Sequence, residues 1–340
     1  MNRPWLIALA LLALLAGCGE REEPVPGARQ VERVDLLLDF FPTADHAGIY
    51  AAMGTGAFED AALDVRPATP SDPAAPLRLL AAGKADLAIS YEPEVLLARD
   101  RGLRVVAIGA LVQKPLTSLM SVGDRAIRDP AQLRGRKVGT AGIPYQSAYL
   151  KAVLDQAGVD PATVDEVNVG FNLATAMISK RVDATLGAFW NYEGVKLQRE
   201  RRRPTILRIE ELGVPTYNEL VVVAREEDAR TRGNVLRRFL LALGRGHEAL
   251  RGDVRAGVDP LLKANRDLER GLQEASVRAT LPVFFPEDPE RAFGYMEEAE
   301  WVAYARWMAD NGLLKRREDP RRALTNEFVP GEGPQAAEGP

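Results

Sequence analysis

The sequence predicts an α/β protein of two lobes, each a mostly parallel sheet covered by helices, followed by a largely helical C-terminal third. Three observations predict this. From about residue 33, short apolar runs of strand length alternate with capped helical segments. The alternation restarts near Pro130, and Glu219–Ala224 reads as one more strand that returns to the first unit after the second is complete.

In the first unit, Val34–Leu38 is a buried-strand run closed by the turn signal at Pro42. Asp45 is the expected N-cap of a helix ending near Gly56. Leu63–Arg66 is the second strand, and Ser71-Asp72-Pro73 opens a helix that Gly83 closes. Asp86–Ser90 is the third strand, running into a helix over Pro93–Arg101, and Val105–Leu111 is the fourth. In the second unit, Lys137–Thr140, Val164–Val169, Ala184–Gly187 and Thr205–Ile209 are strands, with helices over Gln146–Ala157 and Leu173–Ser179. Beyond Asp228 the pattern is helical, with Trp301, Tyr304 and Trp307 as one helix's buried stripe. The expected boundaries are 33–118 plus 219–328 for lobe one and 119–218 for lobe two. A Gly/Pro/Ala-rich tail, 329–340, is expected to be disordered.

Ahead of the lobes, the charged start Met1-Asn2-Arg3 and the unbroken apolar run Trp5–Ala16 read as a signal peptide over 1–17. The run is too short to cross roughly 30 Å of hydrocarbon as a helix. The junction Leu15-Ala16-Gly17-Cys18 resembles the bacterial lipobox, which implies that Cys18 is lipidated and becomes the first residue. Stable attachment needs two or more hydrophobic chains, which a lipidated cysteine carries. Residues 18–32 then form a polar tether. The expected place of the protein is the bacterial cell envelope, held to a membrane by this lipid anchor alone.

Composition excludes several classes. The 340 residues carry 44 Lys+Arg against 48 Asp+Glu, a formal charge of -4, with no basic stripe of the kind nucleic-acid binders use. The runs Arg201–Arg203 and Lys315–Arg317 read as solvated surface. One cysteine and two histidines leave no disulfide framework and no cysteine/histidine zinc site. There is no calcium loop, Walker phosphate loop, HExxH or GxSxG. No metal, no cofactor and no catalysis are expected.

One internal echo stands out. Lys84-Ala-Asp86 leads through a strand to Ser90-Tyr91-Glu92, and Lys180-Arg-Val-Asp183 leads through a strand to Phe189-Trp190-Asn191-Tyr192-Glu193. Both deliver aromatics and a carboxylate to the carboxyl edge of a sheet, where open α/β sheets bind ligands. Two such edges facing each other make an interlobe cleft.

The opening stretch Leu38-Asp39-Phe40-Phe41-Pro42-Thr43-Ala44-Asp45-His46-Ala47-Gly48-Ile49-Tyr50 resembles that of bacterial binding proteins for thiamine-pyrimidine precursors. Pro70–Pro76, Lys84–Glu94 and Gly187–Glu193 are similar as well, so motifs cover about residues 33–225. The resemblance implies the type II periplasmic-binding-protein fold: two α/β lobes, a two-stranded hinge and a ligand held between. It implies a monomeric receptor of an ABC transporter, serving thiamine biosynthesis by passing its ligand to a permease and that permease's ATPase. A close branch takes riboflavin. Fungal relatives are pyrimidine synthases that consume an active-site histidine and use bound iron; they carry a cysteine-rich motif that this chain lacks after Cys18. Sulfonate and nitrate receptors share the fold but need cleft cations, and the motif loops hold no arginine.

A flat heteroaromatic ligand is held by aromatic faces and a few directed hydrogen bonds. Phe40, Phe41, Tyr91, Tyr145, Phe189 and Trp190 supply the faces, and Ser90 ends the strand leading to Tyr91. Glu193 is the first choice to accept from an aminopyrimidine's amino group, with Asp39 and Glu92 behind it and Asn191 as a neutral substitute. His46 offers one more donor or acceptor. Other roles stay open: one of Phe40 and Phe41 suits the core, Tyr91 and Tyr145 suit hinge packing, and Glu193 suits a helix start.

Overall fold

The computed structural model describes residues 30–315 and 318–332. The expected signal peptide, Cys18, the tether up to residue 29, Arg316 and Arg317 of the second basic run, and residues 333–340 lie outside the described residues.

Ten strands form two sheets: β1 (Glu32–Leu37), β2 (Leu63–Ala68), β3 (Leu87–Ser90), β4 (Val105–Val112), β5 (Thr117–Val122), β6 (Lys137–Thr140), β7 (Asp165–Asn168), β8 (Ala184–Phe189), β9 (Pro204–Arg208) and β10 (Leu220–Arg225). The first sheet has the order β2-β1-β3-β10-β4 and the second β7-β6-β8-β5-β9. Strands β3 and β4 are buried along their whole length, which is why they read as continuous apolar runs.

The sheets are mixed rather than simply parallel. In the first, β1 is parallel to β2 and β3, while β10 is antiparallel to β3 and β4. In the second, β6 is parallel to β7 and β8, while β5 is antiparallel to β8 and β9. The reason is topological. Both crossings between the lobes lie at the carboxyl edge of the parallel strands, so the strand entering after a crossing runs backwards.

Strand β5 has no counterpart in the sequence reading. Its residues, Thr-Ser-Leu-Met-Ser-Val, break the apolar run with hydroxyls that the fold satisfies. Ser118 Oγ donates to the Ala188 carbonyl at 2.7 Å, and Ser121 Oγ accepts from Ile127 N at 2.8 Å.

The echo between the halves has a structural basis. β3 and β8 occupy the same position in their sheets. Asp86 accepts from the Asp35 amide in β1 at 2.9 Å, and Asp183 accepts from the Lys137 amide in β6 at 3.0 Å. Each aspartate also meets an arginine, Arg232 or Arg125.

Several helix ends differ from expectation. Asp45 is not an N-cap: a 3-10 turn over Ala44–His46 precedes the helix Ala47–Gly54, and Thr43, in extended conformation, accepts from the Asp45 amide. The third helix starts at Pro76, because Asp72 closes a local turn onto the Ala74 amide instead. The C-terminal third is helical over Gly233–Gly252, Arg255–Ala264, Arg270–Thr280 and Glu298–Asp310, but irregular between Val283 and Glu297, where Pro286 and Pro289 block a helix. The packed chain continues past 328: Val329 is buried, and Glu332 pairs with Arg291 at 2.9 Å.

Candidate functional site

The chain passes between the sheets through 113–116 and again through 213–219, and one buried carboxylate joins both passages. Glu219 accepts from the amides of Leu116 (2.6 Å) and Thr117 (2.8 Å), and from the hydroxyls of Thr117 (3.0 Å) and Tyr217 (3.0 Å). Its neighbour Asn218 donates from its amide group to the Gln113 carbonyl and accepts from Trp301 Nε1 at 2.8 Å. This is the hinge, held by directed bonds rather than by apolar packing alone.

Beside the hinge, between the carboxyl edges of the two sheets, lies a narrow cavity of about 30 Å³. Phe40, Tyr91, Phe189 and Tyr192 give it aromatic walls, and Ile143 and Leu173 add aliphatic ones. Its charged groups are Asp39, Asp45 and Glu193, with no lysine or arginine in the lining.

Asp39 stands after β1 and anchors one wall. Its Oδ1 accepts from His46 Nε2 at 2.9 Å and its Oδ2 from the Tyr91 hydroxyl at 2.7 Å. The Thr43 amide can only donate, and it does so to His46 Nδ1 at 3.1 Å, so the ring proton sits on Nε2 and points at Asp39. Both nitrogens of His46 are therefore engaged inside the protein.

Asp45 is wholly buried, and burial pushes its carboxyl up to about 6. Its Oδ1 accepts from Asn191 Nδ2 at 2.5 Å, a bond from one lobe to the other. Glu193 opens the short helix Glu193–Arg199 and also lines the cavity. Its Oε2 accepts from the Phe189 amide at 2.9 Å, and burial raises its carboxyl to about 7.

Of the residues singled out in the sequence, Asp39, Phe40, His46, Tyr91, Phe189 and Glu193 come together around the cavity. The structure puts the others elsewhere. Phe41 is outside the lining and packs with Phe40, Phe171 and Tyr192. Ser90 is buried opposite Val221 in the first sheet. Glu92 accepts from the Asn218 amide at 2.8 Å in the hinge, where burial holds its carboxyl well above the usual range. Tyr145 leans on Tyr91 from behind, and its hydroxyl meets Thr117 Oγ1 at 3.1 Å. Trp190 donates from Nε1 to the Pro115 carbonyl, with the Arg208 guanidinium 4.2 Å over its ring. Asn191 binds Asp45 and Thr280 rather than facing the cavity.

The turn after β8 aims Phe189 into the lining and Trp190 and Asn191 out of it, so residues adjacent in sequence part company. Sequence reasoning missed Thr43, Asp45 as a lining group, Gln146 and Tyr192. Tyr192 lay inside a motif already marked; Gln146, at the start of a helix, carried no signal of its own.

Two α/β lobes joined by two crossings, with a cavity at the facing sheet edges, define the periplasmic-binding-protein fold. The alkanesulfonate-binding protein SsuA from Xanthomonas axonopodis pv. citri, solved bound to MOPS, superposes with a TM-score of 0.69 at 15% identity, over 88% of this chain and 99% of that one. The chain belongs to the NMT1/THI5-like family, whose model matches residues 43–253. It is 32% identical to the formylaminopyrimidine-binding protein of Halalkalibacterium halodurans over 92% of this chain and 94% of that protein. It is 23% identical to the 4-amino-5-hydroxymethyl-2-methylpyrimidine phosphate synthase of Legionella pneumophila, over 88% of this chain and 92% of that enzyme.

Proposed function

We propose that this protein is the extracytoplasmic solute-binding component of an ABC importer, capturing a thiamine pyrimidine precursor of formylaminopyrimidine or hydroxymethylpyrimidine type for delivery to the permease. The observation that carries this reading is the cavity's chemistry: aromatic walls, three carboxylates and no cation. An aminopyrimidine offers an amino group, and a ring nitrogen that can take a proton, to such acceptors. A sulfonate would meet the carboxyl groups of Asp39, Asp45 and Glu193 with no lysine or arginine in the lining to offset them. Binding without catalysis is supported by the relative at 32% identity, which is named for binding, while the synthase stands at 23%. It is also supported by His46, whose two nitrogens are both engaged.

In this reading residues 33–118 with 219–328 move as one lobe and 119–218 as the other, and the protein works as a monomer held at the membrane through lipidated Cys18. Calorimetric titration tests the ligand. Formylaminopyrimidine or hydroxymethylpyrimidine should bind tightly, riboflavin and MOPS weakly or not at all. Tight riboflavin binding with no pyrimidine binding overturns the assignment. Mass spectrometry of the membrane-extracted protein should find acylated Cys18 at the N-terminus; a mature chain starting elsewhere refutes the anchor.

A further inference from the structure

The second sheet has a basic edge opposite the cavity. Strand β8 brings Phe189 to the cavity at its carboxyl end, and β5 runs antiparallel to both β8 and β9. The far edge therefore gathers three loops: the one after β5, the one before β8 and the one before β9. They line an open cleft of about 340 Å³. Its cations are Arg125, Lys180, Arg201, Arg202 and Arg203, and its carboxylates are Asp124 and Asp183. This excess of positive charge stands in a chain of net charge -4.

The carboxylates do not neutralise the edge. Asp183 meets Arg125 at 2.7 Å and Asp124 meets Arg203 at 3.1 Å, while Arg202 has only Glu200 at 3.8 Å. Lys180 and Arg201 have no ion pair or side-chain hydrogen bond among the described residues. The backbone adds a second observation. Among the described residues, four non-glycine residues have a left-handed φ, and three of them are cations of this cleft: Lys180 (+60°), Arg201 (+56°) and Arg203 (+50°). Lys180 and Arg201 each follow a short helix, in the position where glycine is usual. There the Lys180 amide donates to the Met177 carbonyl at 3.1 Å and the Arg201 amide to the Gln198 carbonyl at 2.9 Å. A cation suits the carbonyl end of a helix, but glycine would suit these backbone conformations better. Backbone strain held at three cations of one cleft points to a use for their charge.

We propose that this edge of the second lobe docks on an anionic phospholipid surface, with lipid phosphates pairing with Lys180 and Arg201–Arg203. All four side chains are exposed. So open a set of long cations fits a plane of phosphates better than one enclosed anion. Attraction confined to one edge of a net negative protein also orients it, and leaves the cavity at the opposite edge of the same sheet clear of lipid. The inference rests on the cell-envelope reading above only for its setting, which puts such a surface within reach.

The test uses the full chain carrying Cys18→Ser, so no acyl chain holds it and failure of the lipid-anchor reading leaves the test intact. Co-sedimentation compares vesicles of equal phosphatidylglycerol and phosphatidylcholine with vesicles of phosphatidylcholine alone. The apolar run near the N-terminus is common to every sample, so the ratio between the two vesicle types reads the basic edge. At low salt that ratio should be at least about tenfold, and added salt should screen it away. Replacing Lys180, Arg201 and Arg203 together by glycine removes three charges where glycine fits the backbone. Melting temperature should hold while most of the preference is lost. Should that variant unfold, Arg202→Ala, at an ordinary backbone position, should still cut the preference about fivefold. A lower melting temperature with the preference intact would assign these cations to helix ends alone and overturn the proposal. Equal binding of the unsubstituted edge to both vesicles would overturn it too. Release by inorganic phosphate, but not by sodium chloride of the same ionic strength, would mark a site for a free anion and refute the lipid assignment.

Discussion

Glu193 is where burial, a helix start and the cavity between the lobes meet. Glu193→Gln keeps the shape, loses the charge and turns one accepting oxygen into a donor. Breaking a buried charge-assisted pair costs about 2–5 kcal/mol, so affinity for formylaminopyrimidine should fall by at least about tenfold in calorimetry. The same residue has a pH signature in the unliganded protein. Its carboxyl rises from 4.5 to about 7 on folding, so between those values the folded chain holds a proton that the unfolded chain has lost. Stability must then fall as pH rises through this window. Glu94 and Glu219, also raised to about 7, and Asp45, raised from 3.8 to about 6, act with the same sign. His247 opposes them between about 4 and 6.5, because burial lowers its value. Melting temperature should decline from pH 5 to pH 7, and Glu193→Gln should flatten that decline. An unchanged slope would show that Glu193 is ionised in the folded protein.

At the scale of elements, the opening motif serves packing as much as binding. Gly48 lies on the helix Ala47–Gly54 where the His247 ring, on the helix Gly233–Gly252, rests directly on its backbone. The ring is fixed from the other side by Phe293, stacked at 4.1 Å, and by its own Nδ1 donating to the Leu243 carbonyl at 2.9 Å. It cannot yield to a methyl group. Gly48→Ala should destabilise by about 1–3 kcal/mol, read as a lower denaturant midpoint with unchanged slope. Affinity measured on the folded fraction should survive, since neither residue lines the cavity. In the sequence Gly48 was visible as a motif position and nothing more; its partner lies about two hundred residues away in the chain. The cap on the helix Pro144–Gln156 was hidden for the same reason. Glu94, from the opposite lobe, accepts from the Tyr145 amide at 2.8 Å.

At the scale of the molecule, the described structure has its lobes together. The seam includes Glu94 on Tyr145, Asn191 on Asp45 and Thr280, Phe171 edge-on to Phe40, and the paired hydroxyls of Tyr149 and Tyr304. A ligand in the cavity touches both lobes and favours this arrangement only by its extra affinity for it. Small-angle scattering should show a smaller radius of gyration with saturating formylaminopyrimidine than without. Asn191→Ala removes the seam bonds to Asp45 and Thr280, so it should enlarge the unliganded particle and weaken apparent affinity. An unchanged radius in wild type, with binding proven, would mean that the lobes do not open.

The sequence by itself determined the two α/β units, the return strand and the aromatic and acidic loops at the sheet edges, because short apolar runs, caps and turn residues act over a few neighbours. It also marked Asp39, Phe40, His46, Tyr91, Phe189 and Glu193, which do meet at one cavity. Tertiary structure alone decided which side of a strand end each residue faces. It placed Glu92, Trp190 and Asn191 in hinge and seam contacts rather than in the cavity lining, and gave Trp301, buried in its core stripe, a partner in Asn218. It also brought Gln146, from the helix Pro144–Gln156, into the lining beside Gly187 of β8. Those assignments depend on contacts between residues far apart in the chain, which no local pattern of residues encodes.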